Sequence, residues 1–192
     1  MNVGVLALQG DFEAHAGALQ RAGARVIEVR HASELDVIDG LVIPGGESTS
    51  MLRLMEYYGL VEPLRRFGAR QPVFGTCAGA ILMATEVLNP PQASLGLVDM
   101  AVQRNAYGRQ LDSRVARLSG HALGGDEEIE AVFIRAPIIR RLGEGAVVLA
   151  TYEGNPVLVE SGLHLAATFH PELSAGSRIH RRFLEKIESC AG

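Results

Sequence analysis

The first apolar run, Val3-Gly4-Val5-Leu6-Ala7-Leu8, contains no polar position and reads as a strand buried on both faces. After the turn residues Gln9-Gly10-Asp11 the spacing becomes helical over residues 12–22 and ends near Gly23. Residues 25–29 and 41–43 are again short apolar runs, with a brief turn element at 35–38 between them. Met51, Leu52, Leu54 and Met55, then residues 61–67, return to helical spacing before the short strand Val73-Phe74. Buried strands alternating with helices call for an α/β fold, a mostly parallel central sheet with helices on both faces.

The second half has another rhythm. Asn89-Pro90-Pro91 breaks the alternation. Residues 98–104, 114–118, 130–135, 147–152, 157–160 and 163–168 then read as strands, several joined as hairpins and therefore antiparallel. Residues 120–126 are loop-like, and 177–187 predict a closing helix with Arg178, Arg181, Arg182 and Lys186 on its polar side. No repeat, low-complexity tract or linker interrupts the chain, so residues 1–192 are expected to form one domain.

Composition narrows the function classes. Of 192 residues, 47% are hydrophobic and 21% charged, with a net charge of −4; this mildly acidic balance gives no reason to expect nucleic-acid or anionic-membrane binding. No run of 18 apolar residues is present, so no membrane span is expected. The first basic residue is Arg21, which leaves residues 3–8 without the positive flank of a secretory leader. Cys77 and Cys190 lie far apart and suggest a reducing cytoplasm rather than a disulfide framework. A single lysine, Lys186, argues against Schiff-base chemistry on this chain. The histidines His15, His31, His121, His164 and His180 show no metal-ligand spacing, and neither a metal nor a cofactor is expected.

Three groups carry candidate chemistry. In Phe74-Gly75-Thr76-Cys77-Ala78-Gly79 a strand meets Gly-x-Cys-x-Gly and passes directly into a helix. Such a corner displays one side chain at a helix N-terminus, where a thiol is placed to react as thiolate, the form that attacks carbon. Taken alone, the motif equally fits a buried structural cysteine. In Thr168-Phe169-His170-Pro171-Glu172, residues two apart along an extended backbone put His170 and Glu172 side by side. A base with a carboxylate to orient it is what an acyl-transfer nucleophile requires; a solvent-side His and Glu at a turn is the plainer alternative. In Pro44-Gly45-Gly46-Glu47-Ser48, glycines let backbone N–H groups approach an oxyanion, with the Ala78 N–H as second donor. That turn also fits a simple connection capped by Ser48 or Thr49, whereas the spacing of a phosphate-binding loop is missing. Gln9, after the first strand, fits a place lining the same sheet edge, and equally a plain polar turn residue.

Together these motifs resemble the class I, triad-type glutamine amidotransferases, and within them the glutaminase subunits of pyridoxal 5′-phosphate synthase. The resemblance runs from Leu6-Ala7-Leu8-Gln9-Gly10 through Ile43 to Thr49, the Cys77 corner and Gln103-Arg104-Asn105-Ala106-Tyr107-Gly108-Arg109-Gln110. It continues through Ala131 to Pro137 and Thr168 to Leu173. It implies a flavodoxin-like fold and hydrolysis of L-glutamine to glutamate and ammonia through a Cys77–His170–Glu172 triad and a thioester. It further implies an oxyanion hole at Gly46 and Ala78, and glutamine contacts at Gln9, Gly46, Glu47, Ser48, Arg104, Ile134 and Arg135. The implied partner is a (β/α)8-barrel synthase subunit in a large heteromeric complex, which receives the ammonia and builds pyridoxal 5′-phosphate from a pentose 5-phosphate and glyceraldehyde 3-phosphate. A glutaminase serving another synthase, or a redox or stress relative with a reactive corner cysteine, remains open on the sequence.

Overall fold

The computed structural model describes residues 1–104, 113–119, 121–124, 128–176 and 178–190. Along the chain run β1 (Asn2–Leu6), α1 (Phe12–Arg21), β2 (Arg25–Val29), a 3-10 turn (Ala32–Val37), β3 (Gly40–Ile43), α2 (Ser48–Tyr57), α3 (Val61–Gly68), β4 (Val73–Thr76) and α4 (Ala78–Met83). There follow β5 (Ala84–Leu88), β6 (Val98–Gln103), β7 (Ser113–Leu118), β8 (Ile129–Ile134), β9 (Ile138–Leu142), β10 (Val147–Tyr152), β11 (Asn155–Ser161), β12 (His164–Ala167) and α5 (Arg178–Cys190).

Seven strands form the central sheet in the order β10-β11-β12-β4-β3-β1-β2. β2, β1, β3, β4 and β12 run parallel, while β11 and β10 extend the sheet antiparallel. The mostly parallel sheet with added antiparallel strands is therefore as the hydrophobic pattern predicts. β3, β4 and β12 bury every residue, as strands covered on both faces must. Alternate side chains serve two cores. Leu41, Ile43 and Val73 pack with Met51, Met55 and Leu64 of α2 and α3, whereas Val42, Phe74 and Leu165 pack with Leu19 of α1 and Ile179, Phe183 and Ile187 of α5. Full burial of one such side chain stabilises the fold by about 1.5–3 kcal/mol.

Several expectations need correction. The helix after Cys77 is only six residues long, and the chain turns at once into β5, which joins β6 and β9 in a separate three-stranded sheet. Neither β5 nor β9 was expected, because Ala-Thr-Glu-Val-Leu and Ile-Ile-Arg-Arg-Leu lack strict alternation. The opening strand ends at Leu6, although the Ala7 N–H still bonds Val29 O at 2.9 Å. The turn element at 35–38 is the 3-10 turn Ala32–Val37. Lys186 is not on an open polar face: it is buried, and its ammonium donates to Glu160 Oε1 at 2.6 Å and to Gly162 O at 2.8 Å. Its aliphatic stem follows the core while its charge is held at the edge. The expected motif residues 105–110, part of the loop at 120–126 and Ser177 lie outside the described residues.

Where the sheet meets α4, backbone touches backbone. A Cβ on Gly79 would run into the Ile43 carbonyl oxygen, and one on Gly75 would come within 2.6 Å of the Gly79 carbonyl carbon. Only glycine allows α4 to begin so close to β3 and β4. Gly79→Ala is expected to cost about 1–3 kcal/mol, because the obstructing atom is backbone and cannot rotate away. The corresponding fall in Tm, roughly 3–10 °C for a chain of this size, is measurable by calorimetry; an unchanged Tm would show that the corner tolerates the added volume.

Candidate active site

The candidate residues converge at the C-terminal ends of parallel strands, where open α/β sheets place their sites. Gln9 follows β1, Gly45 and Gly46 follow β3, Cys77 follows β4, and His170 follows β12. The Cys77 N–H donates to Ala167 O of β12 at 2.8 Å, and the His170 N–H to Val132 O of β8 at 2.8 Å. Thus β12 fixes the backbone of the cysteine and β8 that of the histidine. Cys77 has φ 49° and ψ −104°, a left-handed corner for a residue with a side chain. Such strain is held only where the surroundings over-determine it; here the glycines of the corner and the sheet hydrogen bond do so.

A cleft of about 390 Å³ opens at this edge. Gln9, Gly46, Glu47, Ser48, Arg104, Ile134 and Arg135 all line it, together with Cys77 and His170. Glu172 stands behind His170, buried in a 3-10 turn (Pro171–Leu173). Ala78, also buried, opens α4, so its N–H has no partner within the helix. Gly45 lies flat against the histidine: a Cβ there would meet the His170 ring. The Cys77 sulfur approaches Ile134 O at 3.9 Å.

The Pro-Gly-Gly turn is not capped by Ser48 or Thr49. Glu47 caps α2, its carboxylate accepting from the N–H groups of Thr49 at 2.9 Å and Ser50 at 2.7 Å. Burial would raise this carboxyl, but the Ser50 hydroxyl and those N–H groups hold it down at about 2. The Glu47 N–H donates in turn to Gln9 Oε1 at 3.1 Å. Arg104 closes the far side, Nη2 donating to Thr49 Oγ1 at 2.9 Å and lying 3.4 Å from Glu47 Oε1.

The histidine and the carboxylate are paired as the His-x-Glu spacing predicts. His170 Nδ1 is 2.7 Å from Glu172 Oε1. An ionised carboxylate only accepts, so Nδ1 carries the proton and Nε2 is left for Cys77. Burial opposes charge on the ring, but hydrogen bonds to Cys77 and to Glu172, with the charge on each, push His170 up to about 10. Burial likewise opposes the Glu172 carboxylate, yet the His15 and His170 rings beside it hold it far below the ordinary carboxylate range.

In the sequence His15 and His180 stand out only as histidines without metal-ligand spacing, and no link to Glu172 is expected there. His15 Nε2 lies 3.2 Å from Glu172 Oε2 and 3.0 Å from Thr76 Oγ1, and its Nδ1 is 3.0 Å from His180 Nε2. Both rings are fully buried. A signal existed: His15 shares the inward face of α1 with Ala18 and Leu19, at helical spacing, and His180 sits among Ile179, Phe183 and Leu184. A titratable ring on an apolar face must find a partner. Among the described residues no cluster of three metal-ligating side chains is present.

A model of the SNO glutamine amidotransferase family matches residues 5–189. The chain is 56% identical over 191 residues to the "Pyridoxal 5'-phosphate synthase subunit PdxT" of Solibacter usitatus, covering 96% of this chain and 98% of the relative. It is 51% identical over 189 residues to the protein of the same name from Koribacter versatilis, covering 98% and 97%. A solved structure described as a glutamine amidotransferase superposes with a TM-score of 0.90 at 46% identity, over 97% of this chain and 98% of that one.

The two shifted groups bind stability to pH in opposite senses. Glu172 contributes stability above the ordinary carboxyl value of 4.5 and loses it as pH falls. His170 contributes fully below 6.5 and loses its share as pH rises towards about 10. Urea unfolding from neutral towards acid pH is therefore expected to weaken wild type more than Glu172→Gln, by about 2–3 kcal/mol. Parallel curves for the two proteins would contradict the buried ionic pair.

Proposed function

The chain belongs to the SNO glutamine amidotransferase family, and we propose that Cys77, His170 and Glu172 are the triad with which it works. It hydrolyses L-glutamine to L-glutamate and ammonia and feeds the ammonia to a synthase partner that makes pyridoxal 5′-phosphate, for vitamin B6 synthesis. The observation that carries the triad assignment is the buried His170–Glu172 pair, 2.7 Å apart, facing a strained cysteine at the floor of a cleft.

The chemistry follows from the protonation pattern. His170, held charged at neutral pH, already carries on Nε2 the proton that Cys77 gives up, and the Cys77 sulfur attacks the side-chain carboxamide carbon of glutamine. The N–H groups of Gly46 and Ala78 take the negative charge on the carbonyl oxygen as the tetrahedral intermediate forms. His170 returns the proton to the departing nitrogen, ammonia leaves, and a thioester remains on Cys77. Water, deprotonated by His170, attacks the thioester, releasing glutamate and restoring the thiol. Glu172 keeps His170 in the Nδ1–H tautomer and balances its charge throughout. Gln9, Gly46, Glu47, Ser48, Arg104, Ile134 and Arg135 bind the glutamine; a guanidinium is the fitting group for its α-carboxylate.

The proposal extends to residues 1–192 acting as one amidotransferase domain, and to a (β/α)8-barrel partner in a large complex. That partner condenses a pentose 5-phosphate with glyceraldehyde 3-phosphate. The engagement of Lys186 with Glu160 supports leaving imine chemistry to the partner. Two free thiols favour the cytoplasm as the place of reaction; no described helix is long and apolar enough to cross a membrane. Docking of the synthase completes the oxyanion turn, so the isolated chain is slow.

The test is glutamate release with and without the synthase subunit. Addition of the partner is expected to raise the rate, while Cys77→Ala and His170→Asn lower it by roughly a thousandfold or more without loss of fold. Undiminished activity in Cys77→Ala would sink the triad, and equal rates with and without partner would sink the coupling.

A further inference from the structure

The carboxylate of the proposed triad has two oxygens, and the reaction as written uses one. Oε1 meets His170; Oε2, buried and without a well-aligned hydrogen bond, faces His15 Nε2 at 3.2 Å as an ion-pair contact. Resting on the glutaminase reading, we propose that His15 is a positioning residue for the reaction, anchoring the second oxygen of Glu172 so that the first stays aimed at His170, with His180 locking the His15 ring in the tautomer this requires.

The hydrogen-bond pattern argues for that tautomer. His180 Nδ1 is buried without a partner. An orphaned lone pair is less costly than an orphaned N–H, so His180 carries its proton on Nε2. That proton is donated to His15 Nδ1 at 3.0 Å, which leaves His15 protonated on Nε2, the nitrogen directed at Glu172 Oε2 and Thr76 Oγ1. Burial, above all, holds His180 down at about 3, so it stays neutral throughout the working range. The chain of contacts thus runs from α5 through α1 to the turn after β12, and Thr76, next to Cys77, shares the same His15 nitrogen. His15 lies against the carboxylate oxygen, and His180 and Thr76 in turn hold the His15 ring.

The titratable groups around Glu172 are His170 in its own turn, His15 from α1 and, one ring further, His180 from α5, on which Arg21 also acts. Cys77 faces the other side of His170. If the His15 N–H is removed, burial is left to raise Glu172, and the carboxylate protonates closer to neutrality. Activity is then lost from the acid side at higher pH. A side chain that merely filled space would reduce the amount of folded protein and leave that limb where it was.

The experiment measures glutamate release against pH by the full chain with its synthase partner, for wild type, His15→Leu and His15→Gln, with Cys77→Ala as blank. Glutamine restores an N–H donor near the Nε2 position; leucine does not. For His15→Leu, kcat near neutral pH is expected to fall about tenfold or more with KM nearly unchanged, and the acid limb to rise by about one pH unit, His15→Gln recovering most of both. Should His15→Leu not fold, His15→Asn, polar but too short to reach Glu172, takes its place. Wild-type behaviour without the donor, or equal losses in both variants with an unshifted limb, would overturn the proposal. Alkylation of Cys77 by iodoacetamide, in a Cys190→Ser background, separates this from the choice of substrate. If wild type with its partner releases no glutamate, the glutaminase reading fails and alkylation decides for His15 alone. Slower alkylation in His15→Leu, restored in His15→Gln, supports the positioning role; equal rates in all three refute it.

Discussion

The close approach of Gly79 to the Ile43 carbonyl is the contact on which the site depends. Ile43 ends β3 and leads directly into Pro44-Gly45-Gly46, while Gly79 lies two residues past Cys77 at the start of α4. With no side chain between them, the nucleophile corner and the Pro-Gly-Gly turn are held at one backbone-to-backbone distance. Gly45 then packs flat on the His170 ring, so the third member of the site is set against the same turn. Preorganisation here is a matter of excluded volume: atoms that cannot move apart or together keep the reacting groups in register. The left-handed backbone of Cys77 is the strain that accompanies this packing.

Behind the cleft the structure spends polar groups where apolar ones would be simpler. His15, His180 and Glu172 are all buried, and in a low-dielectric interior each unpaired polar atom is costly. The network satisfies most of them, leaving Glu172 Oε2 and His180 Nδ1 without a hydrogen-bond partner, although His15 Nε2 stands 3.2 Å from that oxygen. A charge pair of this kind, His170 raised and Glu172 lowered against burial, adds little to stability compared with well-packed hydrophobic residues. Its worth lies in fixing a tautomer and a proton position, which is what two-step acyl transfer needs.

Much of this arrangement could be read from the chain before the structure. The buried runs at Val3, Leu41 and Val73 announced the parallel sheet because strands covered on both faces carry no polar positions. The two-residue offset of His170 and Glu172 announced their pairing because an extended backbone repeats every second side chain. What was hidden depended on distance in sequence. β9 and β5 are strands because β6 lies between them, not because their own residues alternate. Glu47 takes the cap from Ser48 and Thr49 because its longer carboxylate reaches two N–H groups at once. Lys186 is drawn inward by Glu160, 26 residues away, and the role of His15 is visible only once α1 is laid beside the turn after β12. Local pattern specified the elements; long-range pairing decided what the polar side chains do.

The central claim is that Cys77 attacks the carboxamide carbon of glutamine. Its most direct test is intact-mass and peptide analysis of the chain, assembled with its synthase partner, after exposure to a glutamine analogue bearing a diazoketone in place of the amide. One adduct is expected per chain, on the peptide containing Cys77, and excess L-glutamine should protect against it. Modification at Cys190 instead, or labelling of Cys77 that glutamine does not suppress, would contradict the account.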